Sequence, residues 1–235
     1  MTRCDVLSVP IETMHLREAS YDDSIIDGST QLSEKFKYLD DYVHNGHPLV
    51  IGLAGHAGCG KDSAIANLLK EDHIFARTAF ADKIRDIGNI FGFTHHQMTD
   101  RTLKEKVDEY WGISPRKFMQ LVGSEMFRHH LCTDVWIKAL FRTLERDFEN
   151  KKVVFITDVR FPNEAKAIQD KGGIVIRITR PSLKISSEVL QHESERYIDE
   201  LNVDYEEFND CASAEEWADK FENNTLKLAI NANLH

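Results

Sequence analysis

Apolar positions in this chain fall into short unbroken runs, separated by longer stretches in which they recur at helical spacing. Leu49-Val50-Ile51-Gly52-Leu53-Ala54 is the first run and predicts a buried strand. After a glycine-rich break, Ala64, Ile65, Leu68 and Leu69 line one face of a predicted helix. Residues 78–81 read as a short strand, and Asp82 then opens a helix that turns Ile84, Ile87, Ile90 and Phe91 inward. Ser114-Pro115 is a helix start, with Ser as N-cap and Pro in the first turn. Asp134 precedes another helix, with Trp136, Leu140, Phe141 and Leu144 as its apolar positions. Residues 153–157 form a buried strand ending at Asp158, Asn163 caps the next helix, and Gly172-Gly173 ends it. Residues 174–178 make a strand stopped by Arg180-Pro181, and 204–208 make the last strand, ahead of a helix over 214–221. Strands alternating with helices predict an α/β fold, a parallel sheet covered by helices on both faces. Ligands in such folds sit beyond the carboxyl ends of the strands.

The break after the first strand, Gly55-His56-Ala57-Gly58-Cys59-Gly60-Lys61-Asp62-Ser63, carries the most chemistry. Gly55, Gly60 and Lys61 fill the pattern Gly-x-x-x-x-Gly-Lys between a strand and a helix. Glycines let backbone N–H groups turn inward toward phosphate oxygens, and the helix that follows offers its positive end to the same charge. Gly58, Cys59, Gly60, Lys61, Asp62 and Ser63 are therefore expected to hold the triphosphate of ATP. Where a Ser or Thr commonly follows the lysine, this chain has Asp62, with Ser63 one position later. Either could anchor magnesium, and Asp62 could equally serve only to compensate the helix dipole.

Composition narrows the field. With 235 residues the chain can bury a sizeable core. Its formal net charge of −10 argues against a general grip on nucleic-acid polymers, while a local basic cleft for small phosphates is allowed. Four widely spaced cysteines, with no C-x-x-C pair, suit a reducing cytoplasm and free thiols. No run reaches membrane-spanning length and no secretory leader is evident, so no membrane partner is expected. Residues 1–47, including a short amphipathic helix over 33–45, read as an extension, 48–228 as the catalytic domain and 229–235 as a tail.

Further candidates gather on the expected rim. Asp158 ends a hydrophobic strand, where acidic residues commonly hold magnesium or its waters, and Arg160 would share its face if the strand continued. An internal Asp–Arg ion pair is the plainer alternative. Arg116, Lys117 and Arg128 put positive charge on one helix, and Gln120 joins Arg116 and Lys117 at helical spacing. Arg177 and Arg180 flank a strand end and could reach phosphate or stack on a base. His192 lacks a second ligand at helical spacing, and the pairs His95-His96 and His129-His130 are expected to face solvent. The polar segment 182–202 is a candidate lid.

Taken in order, these motifs resemble the bacteriophage-type deoxynucleoside monophosphate kinases. The resemblance is carried by the Lys-Asp-Ser after the glycines and by Phe80-Ala81-Asp82-Lys83-Ile84. It continues through Arg116-Lys117-Phe118-Met119-Gln120 with Gly123-Ser124-Glu125, Trp136, Asp158-Val159-Arg160-Phe161-Pro162-Asn163-Glu164, Arg180-Pro181 and His192-x-Ser194-Glu195. It spans about residues 49–222 and implies a three-layer P-loop kinase fold that uses ATP and Mg2+ to phosphorylate a deoxynucleoside 5′-monophosphate. By the same warrant Asp82, Lys83, Arg116, Lys117, Gln120, Trp136, Asp158, Arg160, Asn163 and Glu164 would contact the acceptor. Lys61, Arg116, Lys117 and Arg160 would act on the transferred group, Arg180 would contact ATP, and Asp62, Ser63 and Asp158 are the magnesium candidates. The resemblance implies a cytoplasmic protein, in the host cytoplasm if viral, and leaves a homodimer open. A kinase of dephospho-coenzyme A or of a ribonucleotide, and a non-catalytic ATP switch, are the rival readings. Nothing in the residues fixes base choice.

Overall fold

A computed structural model of the chain describes Leu39 and residues 47–71, 73–184 and 193–233. Five strands form one parallel sheet: β1 Leu49–Ala54, β2 Phe75–Thr78, β3 Val153–Val159, β4 Ile174–Thr179 and β5 Tyr205–Phe208. Their order is β2-β3-β1-β4-β5, so the winding reverses around β1 and a crevice opens beyond its carboxyl end. The helices are α1 Lys61–Ala64, α2 Phe80–Ile90, α3 His95–Thr99, α4 Pro115–Gln120, α5 Val135–Asp147, α6 Pro162–Gln169, α7 Glu193–Arg196, α8 Ala214–Lys220 and α9 Lys227–Asn233. Wider π-type turns continue α4 over Leu121–His129 and join α8 to α9 over Phe221–Leu226.

Side-chain alternation in the central strands builds a separate core on each face. Leu49, Ile51 and Leu53 of β1, with Val153 and Phe155 of β3, pack beneath α1, α8 and α9, where Trp217, Phe221 and Ile230 are buried. Val50 and Ala54, with Val154 and Ile156, pack on the other face against α2, α4, α5 and α6, where Phe80, Phe118, Trp136 and Ile168 are buried. The three-layer α/β arrangement expected from the alternating pattern is present.

Several local expectations are corrected. The helix after the glycine loop is one α-turn. It then tightens into i→i+3 bonds, Ala66 N–H to Ser63 O at 3.3 Å and Lys70 N–H to Asn67 O at 3.2 Å, while Ala64, Ile65 and Leu68 stay buried. The second strand lies earlier, at Phe75–Thr78, and Phe80 already belongs to α2. Carboxylates set that boundary: Asp82 accepts the Ala79 N–H at 2.7 Å, and Asp158 accepts those of Phe80 and Ala81 at 2.8 and 2.9 Å. Asn163 is not the cap of α6. Glu164 takes the N–H groups of Arg160 and Phe161 at 2.9 and 3.1 Å, and Asn163 donates instead to Asp134 at 2.7 Å.

The strand carrying Asp158 does not continue evenly to Arg160. Opposite Gly52 and Ala54 of β1, β3 advances from Ile156 to Val159, one residue more than its partner. This bulge breaks the alternation, re-aims Asp158 at α2 and releases Arg160 from the sheet.

At the other end of the chain, Ala229 and Ile230 of α9 are fully buried, so the packed body reaches past residue 228 into the expected tail. The helix expected over 33–45 lies outside the described residues apart from Leu39, which is buried in the α1-side core. Among the described residues no helix is long and apolar enough to cross a membrane.

Phe155, fully buried and stacked on Phe75 at 6.0 Å between ring centroids, tests the sheet core. Phe155→Ala is expected to lower the unfolding free energy by about 3–5 kcal/mol in urea titrations, and a loss under about 1 kcal/mol would contradict this packing.

Candidate active site

Beyond the carboxyl end of β1 the chain makes its tightest loop. Gly55, Gly58 and Gly60 have φ of 140°, 90° and 105°, a region that side chains rarely allow. Space is as restrictive as torsion. A Cβ on Gly55 would lie 2.4 Å from the Ile178 carbonyl, and one on Gly60 would lie 2.5 Å from Asn209 Nδ2. The loop rests on two side chains from the far end of the sequence: Asn209 donates to the Cys59 carbonyl at 2.9 Å, and the Trp217 indole N–H donates to the Gly60 carbonyl at 2.9 Å. Neither was signalled by local motif, since both contacts are set by the position of β5 and α8.

Lys61 opens α1 with its ammonium folded under this loop. It donates to the carbonyls of Gly55 and His56, the latter at 3.0 Å, and lies 3.6 Å from the Cys59 sulfur. Burial lowers its pKa, with Arg160 adding to the effect, while Cys59 and Glu195 oppose it. Asp62 is turned outward: its side chain is 79% exposed and reaches Arg77 at 3.5 Å, and Arg77 also lies 3.9 Å from Asp82. Ser63 lines a different wall, a cleft shared with Gly60, Arg180, Asn209, Cys211 and Trp217. The structure thus brings Gly60, Ser63 and Arg180 together and sets Asp62 on the side of Asp82.

The acceptor candidates divide. Arg160 leaves the bulged end of β3 and pairs with Glu195 of α7, which is itself buried and bonded to His56 of the glycine loop at 2.9 Å. Arg116 and Lys117 are exposed on α4, Arg116 paired with Glu105 and Lys117 3.6 Å from Glu125. Gln120 closes α4, half-buried. These stand on or near the expected rim.

The rest make their contacts within the fold. Trp136 is buried, its indole N–H bonded to the Gly123 carbonyl at 2.7 Å. Lys83 reaches Asp147 of α5 at 3.8 Å, and Asp82 caps α2 and pairs with Arg85. Asp158 uses both carboxylate oxygens on the α2 N-terminus, while Arg160 pairs with Glu195. Glu164 is buried against Arg128, whose guanidinium lies 3.9 Å over the Phe161 ring, so Arg128 does not share the exposed face of Arg116. Arg177 is held by Glu206 and the Leu201 carbonyl rather than facing the cleft. The two histidine pairs are exposed as expected.

Lys104 went unnoticed in the sequence, as did Arg85 beside it. Lys104, on the turn Leu103–Glu105, stands half-buried among Arg116, Arg85 and Arg160. Burial and these three guanidinium groups lower its pKa to about 8. Three separate segments converge here, which no local pattern could announce.

The sequence profile described as deoxynucleotide monophosphate kinase matches residues 86–215, more than half of the chain. The chain belongs to this family. It is 35% identical over 150 residues to a putative deoxynucleotide monophosphate kinase of Acanthamoeba polyphaga mimivirus, covering 57% of this chain and 76% of that protein. A 58-residue stretch is 41% identical to the deoxynucleoside-5′-monophosphate kinase of Escherichia phage T5, covering 25% of this chain and 22% of that one. Among solved structures, shikimate kinase from Aquifex aeolicus aligns over 78% of this chain and 98% of its own with a TM-score of 0.42 and 17% identity. Membership of the deoxynucleotide monophosphate kinase family makes the chain a kinase, and the family match begins within α2 and ends within α8.

In this kinase, burial pushes the Glu164 carboxyl up to about 7 from the ordinary 4.5, against the pull of Arg128. A raised carboxyl pKa means the folded state holds its proton more tightly, so stability is lost as pH rises from about 4.5 through about 7. Urea unfolding across that window is expected to show a downward slope in the wild type that Glu164→Gln removes. Identical slopes in both proteins would contradict it.

Proposed function

We propose that this kinase transfers the γ-phosphoryl group of ATP to a deoxynucleoside 5′-monophosphate, with the triphosphate on the 55–63 loop and the acceptor phosphate at the cation cluster beyond β3. The observation that carries this reading is a glycine loop with Lys61 bonded beneath it, tied through His56 to the Glu195 that holds Arg160, with Arg160, Arg85 and Arg116 all close enough for their charges to be felt at Lys104. One cationic site would suit a simple phosphate binder. Two facing sites suit a reaction that must hold two polyanions together.

The residues fit a bound ATP. Of the three positive-φ glycines Gly58 has the most open surroundings, with no atom closer than 3.4 Å to where its Cβ would stand, no side chain caps the first turn of α1, and Arg180 with Ser63 lines an adjoining cleft on the β5 side. Magnesium fits as an ion carried largely by the nucleotide, since no group of three metal-ligating side chains occurs among the described residues. Of the three magnesium candidates, Asp158 is committed to the N-terminus of α2, and we assign Asp62 over Ser63, because its carboxylate shares Arg77 with Asp82 while Ser63 lines the cleft with Arg180. When bound, magnesium would neutralise charge on the transferred phosphoryl group.

An oxygen of the acceptor phosphate, already ionised near pH 7, forms the new P–O bond. The bond to the β,γ-bridging oxygen breaks, and its electron pair leaves with ADP, so no general base is required. Lys61 stabilises the charge gathering on the donor side, and Arg116 and Arg160 hold the acceptor oxygens in line. Arg160 must exchange Glu195 for the incoming phosphate, which ties acceptor binding to the α7 segment. Asp158 and Glu164 act by fixing the ends of α2 and α6 around the site.

Coupled ADP release with each of the four deoxynucleoside monophosphates tests the reading, and acceptor-dependent turnover is expected with at least one. Lys61→Ala should lower kcat by roughly 100- to 1,000-fold while the protein remains folded. ADP release indifferent to every acceptor would sink the assignment. For the metal anchor, Asp62→Asn should raise the magnesium concentration needed for half-maximal rate, whereas Ser63→Ala should leave it in place.

A further inference from the structure

The turn joining α3 to α4 carries two cations that neither the sequence motifs nor the acceptor candidates include. Asp100 fixes the turn by accepting the N–H groups of Thr102 and Leu103 at 2.9 and 2.8 Å. Arg101 extends from it over the glycine loop: its guanidinium comes within 3.9 Å of where a side chain on Gly58 would begin. Lys104, three residues on, is half-buried and feels the charges of Arg85, Arg116 and Arg160. Two sides of the crevice are thus reached from one rigid turn.

Charge in this group is out of balance. Arg85 is matched by Asp82, Arg116 by Glu105 and Arg160 by Glu195. The fourth cation, Lys104, is attracted by Glu105, which Arg116 already holds, and makes no ion pair of its own among the described residues. The Arg85 Nε–H is buried with no hydrogen-bond partner among the described residues. Half-burying an ammonium among three guanidinium groups is unfavourable unless an anion completes the set.

We propose that the 100–105 turn is a two-headed phosphate clip, with Lys104 contacting the acceptor's phosphate beside Arg85 and Arg101 contacting the terminal phosphate of the donor. The inference rests on the functional reading above and extends it to residues outside the recognised motifs. A single turn bearing both contacts would fix the separation of the two phosphates, the quantity that in-line transfer depends on.

Steady-state kinetics on the full chain separates the two heads. Lys104→Met keeps the aliphatic stem and should raise KM for the deoxynucleoside monophosphate by roughly 10- to 100-fold, with KM for Mg·ATP changed by less than about twofold. Arg101→Ala should do the reverse, altering kcat or KM for Mg·ATP and leaving acceptor KM in place. The groups facing Lys104 are Glu105 on its own turn, Arg116 on α4, Arg85 on α2 and Arg160 beyond β3. Lysine titration then gives wild-type kcat/KM for the acceptor a fall above about pH 8, and Lys104→Arg, which stays charged, moves that fall to higher pH. Thermal melts confirm that each variant is folded. An unchanged acceptor KM in Lys104→Met overturns the clip. So does an alkaline fall that persists in Lys104→Arg, which would then belong to Lys61 or another group, and so do unchanged ATP parameters in Arg101→Ala. Wild-type protein inert toward all four acceptors would instead strike the functional reading, and this inference with it.

Discussion

A loop held at positive φ by three glycines turns its carbonyls toward the protein, where each must find a donor. In this kinase those donors are the Lys61 ammonium for Gly55 and His56, the Asn209 amide for Cys59 and the Trp217 indole for Gly60. The rest of the molecule is arranged around supplying them. The parallel sheet sets β1 between β3 and β4, so the loop emerges at the centre of the rim. Strand β5 and helix α8 bring Asn209 and Trp217 under it, and burial of Trp217 and Phe221 against the β1 face fixes their positions.

On the opposite wall the governing principle is division of labour between acids and bases. Asp82, Asp158 and Glu164 are turned toward backbone N–H groups, where they end helices and hold the sheet to its covering layer. Arginines and lysine are left to face the crevice, three of them matched by carboxylates from neighbouring segments. A chain with a net charge of −10 can present a cationic cleft because so many of its acids serve elsewhere.

Much of this was legible in the sequence, for reasons that differ by element. The strand at Leu49–Ala54 and the loop after it were legible because apolar run, glycines and lysine are contiguous and each has a local cause. The start of α4 at Ser114-Pro115 was legible likewise, since the Ser114 hydroxyl caps the Lys117 N–H within four residues. What the sequence left unread was long-range. The contacts of Trp136 and Asp158 depend on partners at Gly123 and Phe80, and the bulge in β3 depends on its pairing with β1. Lys104 and Arg101 had no motif to announce them, because their neighbours come from α2, α4 and the glycine loop.

The support beneath the glycine loop also bears on biosynthesis. Asn209 and Trp217 lie 150 and 157 residues beyond the loop positions they hold. During translation the loop leaves the ribosome long before either of them exists, and its Cys59 and Gly60 carbonyls wait on water. The glycine loop is thus among the first parts made and among the last completed, and a chain cut short before β5 would carry the glycine motif without either support.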